Sequence, residues 1–600
     1  MKKHLYILTF GFLLLTANGA SAQETVPTPT PTPTPTVEKQ VDDKQEVQPE
    51  NLQGVPSIAP NYQKNDTSLP DLGRVGVDMT EQKILTLREA ITLALENNKD
   101  IEVTRKNVRI AEFDLQAARG FYEPRFSGQT YYERSTVPNV SIFGTNRTTT
   151  QGSLVGNVGL NGFIPKYGTI LSGSYSNQRV TTNNPISILS PQYNSSLNFT
   201  VTQPLFRGRR FDQTRRTIEI AKRNLSLTDT QFRQRSIEII ANVQRAYWDL
   251  TYALRNLQVQ RDAVRDAKSQ LEHNRRLRDE GQLAPIDVVA AETQVANFEQ
   301  AVYDALNIVT QSENNLKNLI SPNRNDDVWS ESITPVDPVD LDAPNTTLPE
   351  AMQAALANRP ELELNQTQKD INAVDQRFYR EQNKPQIDLV ANYSSAGIGG
   401  SQNPSFRNPF APVCDPRTQT PEQYQTCLTQ QTSQAAQQQS FLNYIGNAGT
   451  TFTDVLANRY PTFRVGIQFN LPLFGDKTAK AQLGKSLVEG ERLQTQREQI
   501  EQNIQVDVRN ALQNLRTAEA RLRSAAISRE NSVKQYESEQ RKLDAGQSDV
   551  YRVLERQTAL TVARSNELRA QTELNKAIAD LQRATGNSLK ANNVETRLRK

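Results

Sequence analysis

Apolar side chains recur along the chain with two different spacings, and each spacing predicts a different element. In residues 463–471 every second side chain is apolar and those between are polar or absent, which predicts a strand with one apolar and one polar face. Residues 197–201 and 387–393 keep the same alternation, and residues 126–132 keep it more weakly. Such strands are typical of a sandwich or of a membrane barrel. A sandwich would need about seven strands per domain, so two clear strands in each half favour a barrel.

Long proline-free stretches follow the strands in both halves, at residues 208–279 and 475–545. Their apolar side chains recur every seven residues, which predicts helices about 100 Å long that pack as left-handed coiled coils. The chain then reverses at Gly281 and Gly546, and the heptads continue into a shorter helix. In the first half the heptad positions are Val243, Leu250, Leu257, Val264, Leu271, Val288, Val295, Val302, Val309 and Leu316. In the second half they are Val508, Leu515, Leu522, Tyr536, Leu543, Val553, Leu560, Leu574 and Leu581, with Arg529 and Glu567 interrupting the series.

The same order of motifs occurs twice, about 261 residues apart. A short and a medium helix come first, at about 87–121 and 349–381. Each pair opens with a T-x-x-E capping box, in which threonine and glutamate bond backbone amides at the helix start. Pro124 or Pro385 then ends the helices and begins the strands. Anchors that recur in one order predict a duplicated unit of about 260 residues.

The N-terminal end of the chain predicts export followed by a spacer. Residues 1–22 have a charged start, a short apolar run and the cleavage pattern Ala20-Ser21-Ala22, which predict a secretory signal peptide. Residues 23–80 include five Pro-Thr alternations and predict an extended, disordered linker. The first repeat is predicted at 81–322, an inter-repeat linker at 323–345, the second repeat at 346–586 and a tail at 587–600.

The pattern leaves two segments of the β regions open. Residues 154–160 and 169–175 are strand-like, and their alternation does not decide whether this hairpin joins the other strands. In the second half, residues 396–459 form a long polar insertion that carries both cysteines of the sequence, Cys414 and Cys427. In an exported protein these cysteines are candidates for a disulfide that steadies the loop, and two unpaired thiols are the alternative.

Composition argues against most other classes of function. The 600 residues carry 69 Lys and Arg against 66 Asp and Glu, a net charge of +3, which disfavours a basic nucleic-acid-binding protein. Only 36% of residues are hydrophobic and the mean hydropathy is -0.64, which disfavours a bundle of membrane helices. Two His and two Cys are too few for a metal cage or for His-based catalysis. The segment Gly484-Lys485-Ser486 lacks the first glycine of a phosphate-binding loop, because Ala479 stands there. We therefore expect no enzyme activity, cofactor, metal or nucleic-acid partner.

Three pairs of motifs recur in the same order in the two halves. They are the Thr-Leu-x-Glu-Ala openings at 86–90 and 347–351, the x-Pro-Leu-Phe strand ends at 203–206 and 471–474, and the Gly-Gln tips at 281–282 and 546–547. In this order they resemble the TolC-like outer membrane efflux proteins, and the resemblance covers residues 81–586. It implies an α+β membrane protein in which three chains each give four strands to one twelve-stranded outer-membrane β-barrel. That barrel would continue into a long periplasmic α-helical coiled-coil barrel.

The resemblance also implies a functional site at the tips of the two helical hairpins. The tip residues, which would contact a periplasmic adaptor protein, are Gly281, Gln282, Leu283 and Ala284, and Gly546, Gln547, Ser548 and Asp549. Just beyond the second tip the family often sets carboxylates around the closed aperture, but this sequence has Arg552 and Glu555 at the matching positions. These two residues lie three apart on one helix face and are spaced to pair. Asp287 takes the equivalent place to Arg552 in the first half, so we expect an Asp287–Arg552 contact between neighbouring hairpins at the gate.

Together with these patterns, the resemblance implies an exit duct in the outer membrane of a Gram-negative-type bacterium, with a large periplasmic portion. The duct would serve a tripartite efflux pump or a type I secretion system and would conduct substrates passively. Its expected partners are two further copies of the chain, a periplasmic adaptor, an inner-membrane pump of the RND or ABC type and outer membrane lipids. The alternative hypothesis is a structural or adhesive coiled-coil envelope protein with a small β anchor.

Overall fold

The structure, a computed structural model, describes residues 72–594 apart from 140–146, 407, 409, 410, 440–443 and 473–475. The predicted signal peptide, most of the predicted linker and the last two residues of the second strand-end motif, 473–474, lie outside the described residues. So do the last six residues of the predicted tail.

The helices of the described residues account for most of the chain. None of them combines the length and the apolar character that would let it cross a bilayer. They are α1 (Leu87–Asn97), α2 (Lys99–Arg119), α3 (Gln213–Asp279), α4 (Pro285–Ile320), α5 (Leu348–Asn358), α6 (Pro360–Gln382), α7 (Pro421–Gln439), α8 (Ala448–Leu456), α9 (Lys477–Asp544), α10 (Val550–Ala584) and α11 (Ser588–Ala591).

The strands form two separate sheets. A two-stranded parallel sheet pairs β1 (Asp78–Leu85) with β6 (Glu331–Pro335). A six-stranded antiparallel sheet has the order β2-β3-β4-β5-β7-β8. Its strands are β2 (Arg125–Pro138), β3 (Thr148–Ile164), β4 (Thr169–Thr182), β5 (Leu189–Pro204), β7 (Gln386–Gln402) and β8 (Tyr460–Asn470).

The two halves share one order of elements. Each has a short helix, a medium helix, strands of the large sheet and a long helical hairpin, and only the first half inserts β3 and β4. The predicted helix starts are present, because Thr86 Oγ1 accepts a hydrogen bond from Glu89 N at 3.2 Å. In the second half Thr347 N donates to Glu350 Oε2 at 3.1 Å. These bonds satisfy amides that no helical carbonyl reaches.

The long helices α3 and α9 are the axes of the helical part, with 67 and 68 residues. At 1.5 Å per residue each is about 100 Å long, as the sequence predicts. Their heptad positions form the buried seams: Val243, Leu250 and Val508 are fully enclosed. Near the large sheet α3 packs against α2 and α6, and toward its other end it packs against α4. Helix α9 packs in the same way against α6 and then α10.

A buried polar cluster joins the start of the described chain to the middle of the molecule. Arg74 Nη1 lies 2.8 Å from Glu313 Oε2, and the second Glu313 oxygen accepts from Ile333 N at 2.8 Å. Lys317 Nζ lies 3.7 Å from the same carboxylate, and burial lowers the pKa of its ammonium group. The predicted linker boundary at residue 80 is therefore too late, because Arg74 and strand β1 are already part of the fold.

The large sheet differs from the expected four strands per chain. The hairpin of β3 and β4, which the pattern left open, pairs along most of its length with β2 on one side and β5 on the other. Each chain therefore brings six strands to this sheet within the described residues.

The predicted polar insertion at 396–459 begins as strand, because β7 runs on to Gln402. The structure joins Cys414 and Cys427, 13 positions apart in the sequence, in a disulfide with 5.7 Å between their Cα atoms. Helix α8 follows and packs against β5 and β7, where Thr451 Oγ1 lies 2.7 Å from Ser195 Oγ. The insertion thus ends as a helix seated on the sheet.

Candidate functional site

Strand register sorts the side chains of the large sheet into an apolar and a polar face. Successive residues of a strand point to opposite faces, so two adjacent cross-strand rows show both faces. One row contains Phe126, Leu160, Gly173, Phe199, Tyr393 and Phe463. The next row contains Ser127, Gly159, Ser174, Asn198, Ser394 and Thr462.

The apolar face is broad and open. Phe126 is 76% exposed, Phe463 is 73% exposed and Phe469 is 70% exposed, although large aromatic side chains are normally covered. An apolar hollow on this face is lined by residues that include Leu160, Leu171 and Leu197. An exposed apolar surface that spans six strands marks contact with lipid or with protein.

The two hairpin tips have the same backbone geometry. Gly281 has φ +74° and Gly546 has φ +72°, a left-handed conformation that side chains with a Cβ rarely adopt. Gln282 N donates to Leu277 O at 2.9 Å, and Gln547 N donates to Lys542 O at 2.8 Å. These bonds satisfy the last carbonyls of α3 and α9 in the manner of a Schellman motif. The predicted turns are therefore present at both positions.

The tips of the two hairpins pack against each other within one chain. Leu543, Val550, Val553 and Leu554 form a small buried cluster at the second tip, and Leu283 of the first tip packs against it. Leu283 also packs against the apolar seam of its own hairpin. The two predicted tip segments therefore form one surface.

Polar contacts reinforce this arrangement. His273 Nε2 lies 3.6 Å from Asp544 Oδ1, and Gln294 Nε2 donates to Thr558 Oγ1 at 3.0 Å, so both contacts link the two hairpins. Ser548 Oγ donates to Glu539 Oε1 within the second tip. This hydrogen bond, together with Lys542 at 3.2 Å, lowers the pKa of Glu539 below its ordinary value. Sequence reasoning missed these contacts because they join positions that share no motif.

The predicted gate residues lie at the start of the return helices. Arg552 Nε lies 3.3 Å from Asp549 Oδ2, and Arg552 N also donates to Asp549 Oδ1 at 2.9 Å. Arg552 therefore pairs with its helix cap and not with Glu555, although their spacing would allow it. Within the described part of this chain no ion pair joins Asp287 to Arg552, so that contact stays a prediction about neighbouring chains.

Two exposed apolar side chains stand beside these charged residues. Ile286 is 70% exposed and Tyr551 is 73% exposed, and they occupy equivalent positions in the first turn after each tip. The repeat in the sequence aligns these two positions with each other, but the heptad pattern could not predict that both side chains are exposed. Together with Asp287 and Arg552 they make the tip surface amphipathic. Among the described residues no group of three or more His, Cys, Asp or Glu could hold a metal ion there or elsewhere.

Comparison with known proteins agrees with this architecture. Residues 158–321 match the family model described as outer membrane efflux protein. No curated protein matches the chain. A membrane protein from Pseudomonas aeruginosa is 16% identical with a TM-score of 0.57, and the alignment covers 88% of this chain and 97% of that chain. The Campylobacter jejuni outer membrane channel CmeC is 14% identical with a TM-score of 0.56, covering 88% and 94%. The open Neisseria gonorrhoeae outer membrane channel MtrE is 16% identical with a TM-score of 0.52, covering 88% and 95%.

At these identities the solved structures establish the fold, and the family match covers residues 158–321. The family is one of efflux channels and not of enzymes. Its matched segment runs from strand β3 through the whole of the first helical hairpin. The resemblance carried by the duplicated motifs is thus confirmed: residues 158–321 match the outer membrane efflux protein family, and the chain has the fold of the solved outer membrane channels.

Proposed function

We propose that the chain is the outer membrane exit duct of a tripartite efflux pump or a type I secretion system, and that it acts as a homotrimer. The observation that carries this proposal is the pair of faces on the large sheet. Its apolar row suits lipid and its polar row suits water, as in a transmembrane barrel. One chain cannot close a barrel alone, and unpaired strand edges cannot face lipid. Neighbouring copies must therefore supply the missing partners.

The helices extend this duct into the periplasm. Strands β2 and β7 follow α2 and α6, and strands β5 and β8 lead into α3 and α9, so four helices continue the sheet. The buried apolar heptad positions form a narrow stripe on each helix, and the remaining faces are polar, which suits a water-filled tunnel. The chain supplies no nucleotide-binding motif, so the driving energy comes from an inner-membrane pump of the RND or ABC type.

We assign the tip surface to a periplasmic adaptor and to the gate. Ile286 and Tyr551 are apolar groups at equivalent positions, which a partner can cover. Replacing both with Ser should impair efflux in cells by tenfold or more while leaving the trimer intact. Val488→Ser is the control, since Val488 is 64% exposed on α9 far from the tips. Equal loss of efflux in the two variants would contradict an adaptor role for the tip.

Contact between Asp287 and Arg552 of neighbouring chains would hold the aperture closed. Arg552→Glu should open it, because like charges then face each other. Single-channel conductance should rise severalfold at neutral pH. Arg523→Glu makes the same charge change on an exposed part of α9 and should leave conductance unchanged. Unchanged conductance and efflux in Arg552→Glu would exclude this gate.

Planar-bilayer recording of the purified chain tests the proposal as a whole. A duct gives discrete conductance steps and a trimer mass in detergent. A monomer without channels would favour a structural or adhesive envelope protein with a β anchor.

A further inference from the structure

We propose that three copies of this chain close an eighteen-stranded barrel, in place of the twelve-stranded barrel that the family resemblance implies. The inference rests on the trimer of the proposed function. It begins from the β3–β4 hairpin, which lies inside the large sheet between β2 and β5. Six strands from each of three chains make eighteen only if these two strands are part of the wall.

Both additional strands have the length and the alternation of side chains that strands of a membrane barrel need. β3 has 17 residues and β4 has 14, which exceeds the 9–11 residues that a tilted membrane strand needs. Leu154, Val158 and Leu160 of β3 point to the same face as Phe126 of β2, and Val155, Asn157 and Gly159, which alternate with them, point to the opposite face. A hairpin that merely covered the sheet would not continue its alternation in register across every row.

The turn of this hairpin is fixed at the helical end of the sheet. Gln203 Nε2, near the end of β5, donates to Tyr167 O at 3.0 Å, and Arg215 at the start of α3 donates to Pro165 O. The Tyr122 and Phe163 rings stack with their centroids 5.2 Å apart. The hairpin therefore crosses the full height of the sheet and is held where the strands meet the helices.

The two edges of the sheet suit a seam between copies. β2 runs away from the helices and β8 runs toward them, because the six strands alternate in direction. Copies related by rotation therefore bring β2 of one beside β8 of the next in antiparallel orientation. Every residue of β2 and of β8 is exposed in the single chain, as expected for edge strands that pair with another copy in the assembly. An even number of strands per chain is what such a ring requires.

The consequence is a wider outer barrel on an unchanged helical tunnel. Barrel diameter grows roughly linearly with strand number, so eighteen strands give about 1.5 times the diameter of twelve. β3 and β4 connect to each other at the helical end and to no helix, so the widening is confined to the membrane part. The exit would then be less restrictive than the periplasmic tips.

Disulfide trapping in the assembled trimer tests which strands are neighbours. In the eighteen-stranded wall β2 lies beside β3, and in a twelve-stranded wall it must lie beside β5. Ser127→Cys with Gly159→Cys should therefore bridge nearly completely, since a Cβ at Gly159 would lie 3.1 Å from Ser127 Oγ. Ser127→Cys with Asn198→Cys, which lie in the same row two strands further apart, should remain reduced. Bridging of the second pair would overturn the inference.

Electron microscopy of trimers in lipid nanodiscs measures the width directly. The full chain should show a barrel about 1.5 times as wide as that of a variant lacking residues 148–182, which removes β3 and β4 together and keeps the chain direction. Equal barrel widths in the two proteins would overturn the inference. A map of the full chain that shows twelve strands would also overturn it, and this strand count does not depend on the deletion variant. A trimeric channel with a narrow barrel contradicts the inference alone. A monomer without channels contradicts the proposed function as well.

Discussion

Arg529 of α9 and Glu567 of α10 form an ion pair across the second helical hairpin, with 2.5 Å between Nε and Oε2. Both residues stand at heptad positions where the other members of the seam are apolar. The Glu567 side chain is 16% exposed and the Arg529 side chain is 40% exposed, so the pair is partly desolvated. The two interruptions of the heptad pattern therefore compensate each other.

Removing one partner of this pair should cost more than removing both. Glu567→Leu or Arg529→Leu alone leaves a partly buried charge without its partner and should lower the free energy of unfolding by about 1–2 kcal/mol. The double Leu variant restores an apolar seam and should be as stable as the natural chain or slightly more stable. Thermal unfolding followed by circular dichroism gives the order of stability of the natural chain, the two single variants and the double variant. A double variant less stable than both single variants would contradict it.

The glycines at the hairpin tips should be sensitive to a single methyl group. At φ +74° and +72°, Gly281→Ala and Gly546→Ala should each destabilise the local turn by about 1 kcal/mol, because a Cβ strains the left-handed conformation. Gly484→Ala is the control, since Gly484 lies in helix α9 with no atom within 4 Å of an added Cβ. It should stabilise the helix by about 0.5–1 kcal/mol. Hydrogen exchange measures both effects, at the tip amides for Gly281→Ala and Gly546→Ala and at the amides around position 484 for the control. Slower exchange at the tips in the two tip variants would be inconsistent with the strain.

Hairpin-tip stability should depend on pH through Glu539. Its pKa is lowered from 4.5 by the hydrogen bond from Ser548, so the charged carboxylate stabilises the turn above pH 4.5. That stabilisation is lost as pH falls below 4.5 through the lower folded-state pKa. Hydrogen exchange at the tip, corrected for its intrinsic pH dependence, should speed up in this range. Glu539→Gln should abolish the dependence, whereas Glu537→Gln, which removes a nearby charge, should retain it.

Local features of this fold could be predicted from the sequence, because each depends on a few neighbouring residues. Capping at Thr86, the turns at Gly281 and Gly546 and the buried heptad at Leu250 follow from spacing alone. The parallel pairing of β1 with β6 could not be predicted, since it joins strands about 250 residues apart with no shared motif. The same is true of the ion pair between Arg74 and Glu313. Charged residues are normally exposed, and nothing in the sequence indicates that these two are buried against each other.

The candidate site divides in the same way. The tip segments were predicted at the correct turns, but the pairing of Arg552 was not, because Asp549 at the helix cap and Glu555 are both three residues away. The alternation of apolar and polar residues also could not decide whether β3 and β4 belong to the large sheet. Alternation identifies a strand and its apolar face, but the neighbour of that strand is set by register across the whole sheet.

Helix α8 should detach from the sheet when Gly397 gains a side chain. A Cβ at Gly397 would lie 2.2 Å from Thr451 O, so Gly397→Ala forces the helix away and weakens the bond from Ser395 Oγ to Val455 O. We expect a cost of roughly 1–3 kcal/mol and faster exchange across α8. Gly466→Ala is the matched control, because this strand glycine of β8 has no atom within 4 Å of an added Cβ. Ser195 and Ser395 lie on the face that is apolar nearer the helices. In the proposed barrel, α8 therefore covers polar groups that would otherwise face lipid. Normal exchange across α8 in Gly397→Ala would show that the helix is not seated there.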